Sequence, residues 1–323
     1  MLLRDRRIIV TGGASGIAAA TVRAYAREGA RVASLDVNDE GGRRVAAEAG
    51  PDVTYYHCDV ARRAQVDEVF ARAAAALGGL DVLVNVAGVE RGTPAEDIPD
   101  AEWDLVFDVN VKGTLYTNQA AFRHLREHGG RIINFGSGAG IRGQRGSAHY
   151  SAAKGAVMAW TRTVAQEWAR YGITVNSIVP AIWTPMYEAY RQRMSEQERA
   201  IHDLAMQHVI PLGGRLGDPE RDIAPVMVFL AGDGARFITG QVFAIDGGMI
   251  MLGRGWRRAC RCLRSSPRAS ASGAPAARAA SRSRAAGRAA GTFTRRDRSA
   301  RAARCATSAG RPSAAAPPWS ATR

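Results

Sequence analysis

The chain has 323 residues, 44 basic and 30 acidic, for a formal charge of +14. That charge is uneven: from residue 253 onward there are 17 arginines, no lysine and one acid, Asp297, whereas residues 1–252 carry 27 basic against 29 acidic side chains. The first 252 residues are therefore an ordinary, near-neutral globular composition, which excludes a basic nucleic-acid-binding body. Of the four cysteines only Cys58 lies there, which excludes a disulfide framework and fits a reducing, cytoplasmic compartment. Cys260-x-Cys262 and Cys305 lack partners at zinc-site spacing, the N-terminus carries no signal-peptide core, and no apolar run is long enough to span a bilayer, so neither metal nor membrane is expected.

Residues 8–10 (Ile-Ile-Val) read as a strand. Thr11-Gly12-Gly13-Ala-Ser15-Gly16-Ile17-Ala18 follows, and a helical pattern continues through Tyr25 to Gly29. Strand, glycine turn and helix in that order are the context a dinucleotide-binding loop requires. The glycines admit a pyrophosphate close to the backbone, and the helix N-terminus turns free N–H groups toward it. Residues 31–36 form a second strand ending in Asp36, 20 residues beyond Gly16. There such a fold places the carboxylate that holds the adenosine ribose hydroxyls. It repels a 2′-phosphate, and Val37 and Asn38 follow it rather than an arginine, which favours NAD over NADP. The alternative is that Asp36 caps a helix over 39–49.

Residues 53–57 form a third strand, ending Cys58-Asp59-Val60. Asp59 either meets the adenine amino group or caps a helix over 62–76. Residues 81–84 are a fourth strand, ending Asn85-Val86-Ala87-Gly88, small residues against which a cofactor can lie. A helical stretch spans 102–127 with Asn110 inside it. Asparagine is unfavourable in a helix interior, so either a local bend or a polar role accounts for it. Residues 131–135 form a fifth strand, and Ser137 stands at its end. A glycine-rich loop then leads to Tyr150 and Lys154 at the start of a long helix.

Tyrosine and lysine four apart share one helix face. A free phenol, with a pKa of ~10, is no base near neutrality; lowering it by about three units takes roughly 4 kcal/mol. One cation about 4 Å away, at an effective dielectric of ~20, supplies about that much. Tyr150 then exchanges a proton with a substrate oxygen, and Ser137 hydrogen-bonds the same oxygen as charge develops. The alternative is a helix carrying both residues on a solvated face.

The helix ends at Tyr171-Gly172, and residues 173–179 form a sixth strand broken by Pro180. Residues 181–218 are the longest irregular segment, with Trp183, Met186, Tyr187, Tyr190, Met194 and Met206. They read either as a movable lid over an apolar or ring-containing alcohol, or as two amphipathic surface helices closed on their own interior. A helix over 220–231 and a seventh strand over 241–245 complete the body. Strands alternating with helices predict an α/β, Rossmann-like, doubly wound, parallel seven-stranded sheet with helices on both faces, in one domain over residues 1–252. Ligands bind such sheets outside the carboxyl ends of the strands. The glycine loop, Asp36, Asp59, Asn85, Ser137 and Pro180 all follow strand ends and so share that edge.

On these residues, 7–250 resemble the short-chain dehydrogenase/reductase family, in its single-domain branch. Thr11-Gly12-x-x-x-Gly16-x-Ala18 is similar to the family's glycine loop, with Ala18 for the last glycine. Asn85-x-Ala87-Gly88 is similar to its Asn-Asn-Ala-Gly element, with Val86 for the second Asn. Pro180-Ala181 replaces its Pro-Gly. The resemblance implies a catalytic tetrad of Asn110, Ser137, Tyr150 and Lys154. Tyr150 is its acid/base, Ser137 orients substrate, Lys154 lowers the tyrosine pKa and binds the nicotinamide ribose, and Asn110 holds a relay water. It implies a cofactor set of Thr11, Gly12, Ser15, Gly16, Ile17, Asp36, Asp59, Val60, Asn85, Ala87, Gly88, Tyr150, Lys154, Pro180, Ile182 and Thr184, with NAD as cofactor.

The implied reaction moves a hydride between NAD(H) and a secondary alcohol or ketone. An NADPH-linked 3-oxoacyl thioester reductase is the alternative, and a non-catalytic dinucleotide-binding regulator has no need of all four tetrad residues. The resemblance also implies homo-dimers through helices 102–127 and 150–170, and homo-tetramers through helix 220–231 and the last strand. Ala18 is expected to weaken rather than abolish cofactor binding, and Ala181 to matter only if its backbone needs φ > 0.

Residues 253–323 are Arg, Ala, Ser, Gly and Pro with almost nothing large and apolar, a composition expected to be disordered. Three readings stay open: a tail for nucleic acid or another anionic surface, a solvated tail without a role, or out-of-frame translation of a GC-rich gene. The abrupt loss of Lys, Ile, Val and Glu is what a frame change produces directly.

Overall fold

The computed structural model describes residues 1–251; the arginine-rich tail, with its expected disorder, lies outside the described residues. Seven strands form one sheet: β1 (Arg7–Thr11), β2 (Arg31–Asp36), β3 (Val53–His57), β4 (Val82–Asn85), β5 (Gly130–Phe135), β6 (Ile173–Pro180) and β7 (Val242–Ile245). Their order is β3-β2-β1-β4-β5-β6-β7, and every neighbouring pair is parallel. The chain starts mid-sheet, winds out to β3, then returns to lay β4 against the other side of β1. That reversal opens a crevice at the carboxyl ends of β1 and β4, where doubly wound sheets take ligands.

Alternate strand residues feed two cores, as the period of two requires. Ile8, Val10, Val82 and Val84 pack on one face with α1 (Gly16–Arg27), α2 (Asp39–Ala49) and α10 (Ala224–Ala231). Ile9, Leu83 and Ile132 pack on the other with α3 (Arg63–Leu77), α5 (Gly113–Leu125) and α7 (Ala148–Trp168). Both faces are covered, which is why the strands read as continuous apolar runs.

The expected helix over 102–127 is three pieces: α4 (Asp100–Phe107), a π-helical turn (Asp108–Lys112) and α5. The π-turn centres on Asn110, whose Nδ2 donates to the carbonyls of Val106 (2.9 Å) and Val89 (2.8 Å). The bend and the polar role expected for this asparagine are thus one feature, since the side chain bonds the backbone where the helix widens. The expected helix over 220–231 likewise opens with a π-turn (Pro219–Ile223), capped by the Asp218 carboxylate. The irregular segment folds as α8 (Pro185–Gln192) and α9 (Glu196–Val209), the second started by a capping box of Ser195 and Glu198. α6 (Ala139–Arg142) is a single turn after β5.

Candidate active site

The glycine loop lies over the β1/β4 crevice. Gly12 adopts φ +76°, and a Cβ there would come within 3.0 Å of the Ala87 backbone, so only glycine lets β1 and β4 close up. Thr11 bridges the strands: its hydroxyl donates to Asn85 Oδ1 (2.9 Å) and accepts from the Ala87 N–H (3.2 Å). Ser15 precedes α1 in extended conformation with no side-chain cap, so the N–H groups of the first turn stay available to an anion. Gly16 (φ +56°) faces Thr184 and Pro185 across the crevice. Thr184 itself caps α8, accepting from the Tyr187 N–H at 3.2 Å.

Asp36 does not cap α2; Asn38 does, accepting from the Gly41 N–H. The Asp36 carboxylate instead takes the N–H groups of Ala14 (3.0 Å) and Asn38 (2.9 Å), which ties the glycine loop to the end of β2. Asp59 holds its own turn, accepting from the Ala61 N–H, and pairs with Arg62. The side chains of Ile17, Val60 and Ile182, three members of the expected cofactor set, are largely buried in the two cores. Ala18 is wholly buried in α1 without displacing it, and Ala181 is not among the residues at positive φ, where Asp5 is the one non-glycine described. Pro180 ends β6, and Ala181 pairs onward with Ile245.

At the other end of the crevice the tetrad converges. Asn110 is buried and its Oδ1 has no partner among the described residues. A Cβ at Gly88 would fall 2.6 Å from that oxygen and 3.3 Å from Lys154 Nζ, which places Gly88, Asn110 and Lys154 around one point. Ser137 follows β5, its hydroxyl accepting from the Ala139 N–H (3.1 Å) and facing the Tyr150 phenol. Gly140 lets α6 press onto α7: a Cβ there would sit 2.6 Å from the Gly155 nitrogen and 2.7 Å from the Lys154 carbonyl carbon. This close approach is the structural use of the glycine-rich loop.

Lys154 and Tyr150 share a helix face, as their spacing predicts, without a direct hydrogen bond between them. Lys154 Nζ donates to the Phe135 carbonyl (3.0 Å) and stands 5.7 Å from the Tyr150 ring centre. Burial pushes the Tyr150 phenol up to about 12, opposed by the Ser137 contact and reinforced by the Glu90 carboxylate. Burial also drives the Lys154 ammonium down to about 8. Desolvation is the main cause of both shifts, and it favours the neutral form of each group.

Three groups lay outside the sequence reading. Asn134, Asn118, Thr161 and Trp160 form a buried hydrogen-bonded cluster that joins β5, α5 and α7 beneath the tetrad. Asp246 takes the N–H groups of Gly248 and Ile250, and the Ile250 side chain then packs against Gly138 in the loop after β5. Glu90, just past the Asn85–Gly88 element, is buried beside Tyr150 and accepts from Ser147 Oγ (3.1 Å) and Gln144 Nε2 (3.2 Å). Their partners are distant in sequence, so no local pattern announces them; a carboxylate directly after Gly88-Val89 was the one available signal.

The aromatic cluster over the site closes largely on itself. Trp183 packs edge-on to Tyr187, Arg191 lies over the Trp183 ring, and the Tyr187 hydroxyl meets His202 Nε2 at 2.9 Å. Of the two readings of this segment, self-packed amphipathic helices describe its interior.

The residues at this edge fit a dinucleotide: a glycine-lined crevice, an uncapped helix start at its middle, a carboxylate at one end, and an unpartnered buried Asn110 oxygen beside a buried lysine at the other. Among the described residues no cluster of His, Cys, Asp and Glu could hold a metal ion, and no helix is long and apolar enough to cross a membrane.

A family model described as enoyl-(acyl carrier protein) reductase matches residues 12–250. The short-chain reductase protein NovJ of Streptomyces niveus is 39% identical over 246 residues, 74% of this chain and 92% of that protein. The 2,5-dichloro-2,5-cyclohexadiene-1,4-diol dehydrogenase of Sphingobium indicum is 36% identical over 250 residues, 76% and 97% of the two chains. The crystal structure of levodione reductase superposes with a TM-score of 0.72 at 36% identity, covering 76% of this chain and 98% of that one.

Proposed function

The chain belongs to the short-chain dehydrogenase/reductase family, and from that premise we propose that it is an NAD-dependent oxidoreductase whose acid/base is Tyr150. It moves a hydride between a nicotinamide dinucleotide and a secondary alcohol or ketone. One observation carries the assignment of roles: Asn110, Ser137, Tyr150 and Lys154 meet at one end of a glycine-lined crevice whose other end is Asp36.

A bound nicotinamide supplies the hydride acceptor or donor. The chain's own residues do the rest. Gly12, Gly16 and the start of α1 take the pyrophosphate; Asp36, its backbone-bonded oxygens retaining lone pairs, accepts the ribose hydroxyls and repels a 2′-phosphate. Ser137 holds the substrate oxygen against Tyr150 Oη. In the oxidising direction Tyr150 takes the alcohol proton; in the reducing direction it donates a proton to the carbonyl oxygen. With its phenol up to about 12, Tyr150 is set as the donor until cationic charge gathers at the site. Lys154 is the cation within reach, held by the Phe135 carbonyl. Asn110 Oδ1 offers the next acceptor in the proton path.

Asp36 speaks against the alternative, an NADPH-linked 3-oxoacyl thioester reductase, since no basic side chain bonds it among the described residues. Titrating the full-length protein with NAD and NADP separates the two, and a panel of secondary alcohols followed by reduced-nicotinamide absorbance tests turnover. Tight NAD binding with turnover that Tyr150→Phe abolishes is the expected result; tighter NADP binding would favour the reductase. A soluble cytoplasmic homo-dimer or homo-tetramer belongs to the same reading. Phe229 on α10 is half exposed and Phe237 beyond it fully exposed, surface that a second copy would cover. Light scattering on the purified protein measures that state.

A further inference from the structure

Glu90 is a carboxylate only 8% exposed, yet no cationic side chain among the described residues pairs with it. Both of its hydrogen bonds, from Ser147 Oγ and Gln144 Nε2, come from neutral groups and end on the same oxygen, Oε1. No described residue bonds Oε2, and Oε2 is not among the fully enclosed atoms lacking a partner. Oε1 is thus taken up by the protein, while Oε2 keeps an open side beside Tyr150, where a ligand can reach it.

Its position says which ligand. Ser147 immediately precedes α7 and lies one helical turn before Tyr150, and a bridge between Thr93 and Ser147 ties the Glu90 segment to that helix start. From the α8–α9 side, Arg193 lies beside Gly92, and Tyr190 lies near enough to feel the Glu90 charge, as Tyr150 does. Glu90 thus borders the space between the acid/base and the α8–α9 segment, where the part of the substrate beyond the reacting carbon must sit. A third neutral donor satisfies Oε2 in the manner of the first two.

We propose that Glu90 Oε2 is a recognition site for a second hydroxyl of the substrate, so that the substrates are diols or hydroxyketones rather than simple alcohols. The assignment rests on the oxidoreductase reading above and names the substrate class of that site.

The test uses matched probes with the full-length protein and saturating dinucleotide: cyclohexanol against the cyclohexane-1,2-, 1,3- and 1,4-diols, and 2-butanol against 2,3-butanediol. The wild type is expected to favour at least one diol over its mono-alcohol. Glu90→Leu should cut kcat/KM for that diol by about 10- to 100-fold, the scale of a hydrogen bond to a charged group, while leaving the mono-alcohol within a few-fold. Glu90→Gln preserves shape and the Ser147 contact, and should lose part of the same preference; it serves where the leucine variant folds poorly. An equal fall on diol and mono-alcohol in both variants would overturn the proposal and make Glu90 a positioning residue for α7. So would a wild type with no diol preference. Absence of turnover on every probe would instead remove the oxidoreductase reading, and this assignment with it.

Discussion

The floor of the active site and the lid above it are built on opposite terms. Asn110, Lys154 and the Asn134–Asn118–Thr161 cluster are buried and cross-linked between β5, α5 and α7. α8 and α9, by contrast, contain no buried residue, and Ile201 and Leu204 stand 63% and 58% exposed. The floor holds groups at fixed distances; the α8–α9 segment holds its shape by contacts within itself, such as Arg191 with Asp203 and Tyr187 with His202. The buried part therefore tolerates little change, and the α8–α9 segment is freer to vary.

The largest effect should come from the floor. Tyr150→Phe removes the proton carrier and is expected to cost about 10²–10⁴ in kcat, with dinucleotide affinity little changed; steady-state rates beside a binding titration measure both. Lys154→Met is next. It should cost activity while changing the pH dependence of stability. The folded-state ammonium titrates near 8, below the ordinary ~10.4, so the folded chain gives up this proton first as pH rises. Between those values the unfolded chain holds the proton and stability climbs with pH; below 8 the burial cost stands in full. Wild type should gain up to about 3 kcal/mol from this group between pH 8 and 10.4, less the effect of its bond to Phe135. Lys154→Met should lack that rise in denaturant melts across the range.

At the adenosine end the expected effects are smaller. Asp36→Ala should narrow the preference for NAD over NADP by about 10-fold or more, as removing a repulsive charge relaxes discrimination. The same change frees the Ala14 N–H, so a modest loss of NAD affinity should accompany it. Hydrogen exchange sharpens the contrast directly: α9 amides should exchange far faster than those of α7 around Val157 and Val164, which are buried. Equal protection would erase the distinction between floor and lid. The smallest effect is on pH. The Glu90 charge raises the Tyr150 phenol, so Glu90→Gln should move the acid limb of alcohol oxidation to lower pH, by less than about one unit.

What was legible in the chain follows the same division. The strand ends, the glycine loop and the shared helix face of Tyr150 and Lys154 could be read because each rests on local rules: a period of two, glycines where backbones touch, and a spacing of four residues. All seven strands are close to the ranges expected. The π-turn at Asn110 could not be placed, since widening a helix by one residue leaves no mark beyond an ill-suited asparagine. Lys154 turning to the Phe135 carbonyl depends on how closely β5 and α7 pack, which spacing does not carry. Glu90 escaped notice because its partners, Gln144 and Ser147, lie 54 and 57 residues away in the chain.

The most direct test of the central claim is label transfer. The full-length protein would be incubated with oxidised NAD and secondary alcohols deuterated at the carbinol carbon, and the reduced dinucleotide analysed by mass. Deuterium in the reduced NAD with wild type, and none above background with Tyr150→Phe, is the predicted result. NAD bound but unlabelled across the whole set of alcohols and diols would contradict the account and leave a dinucleotide-binding protein without turnover.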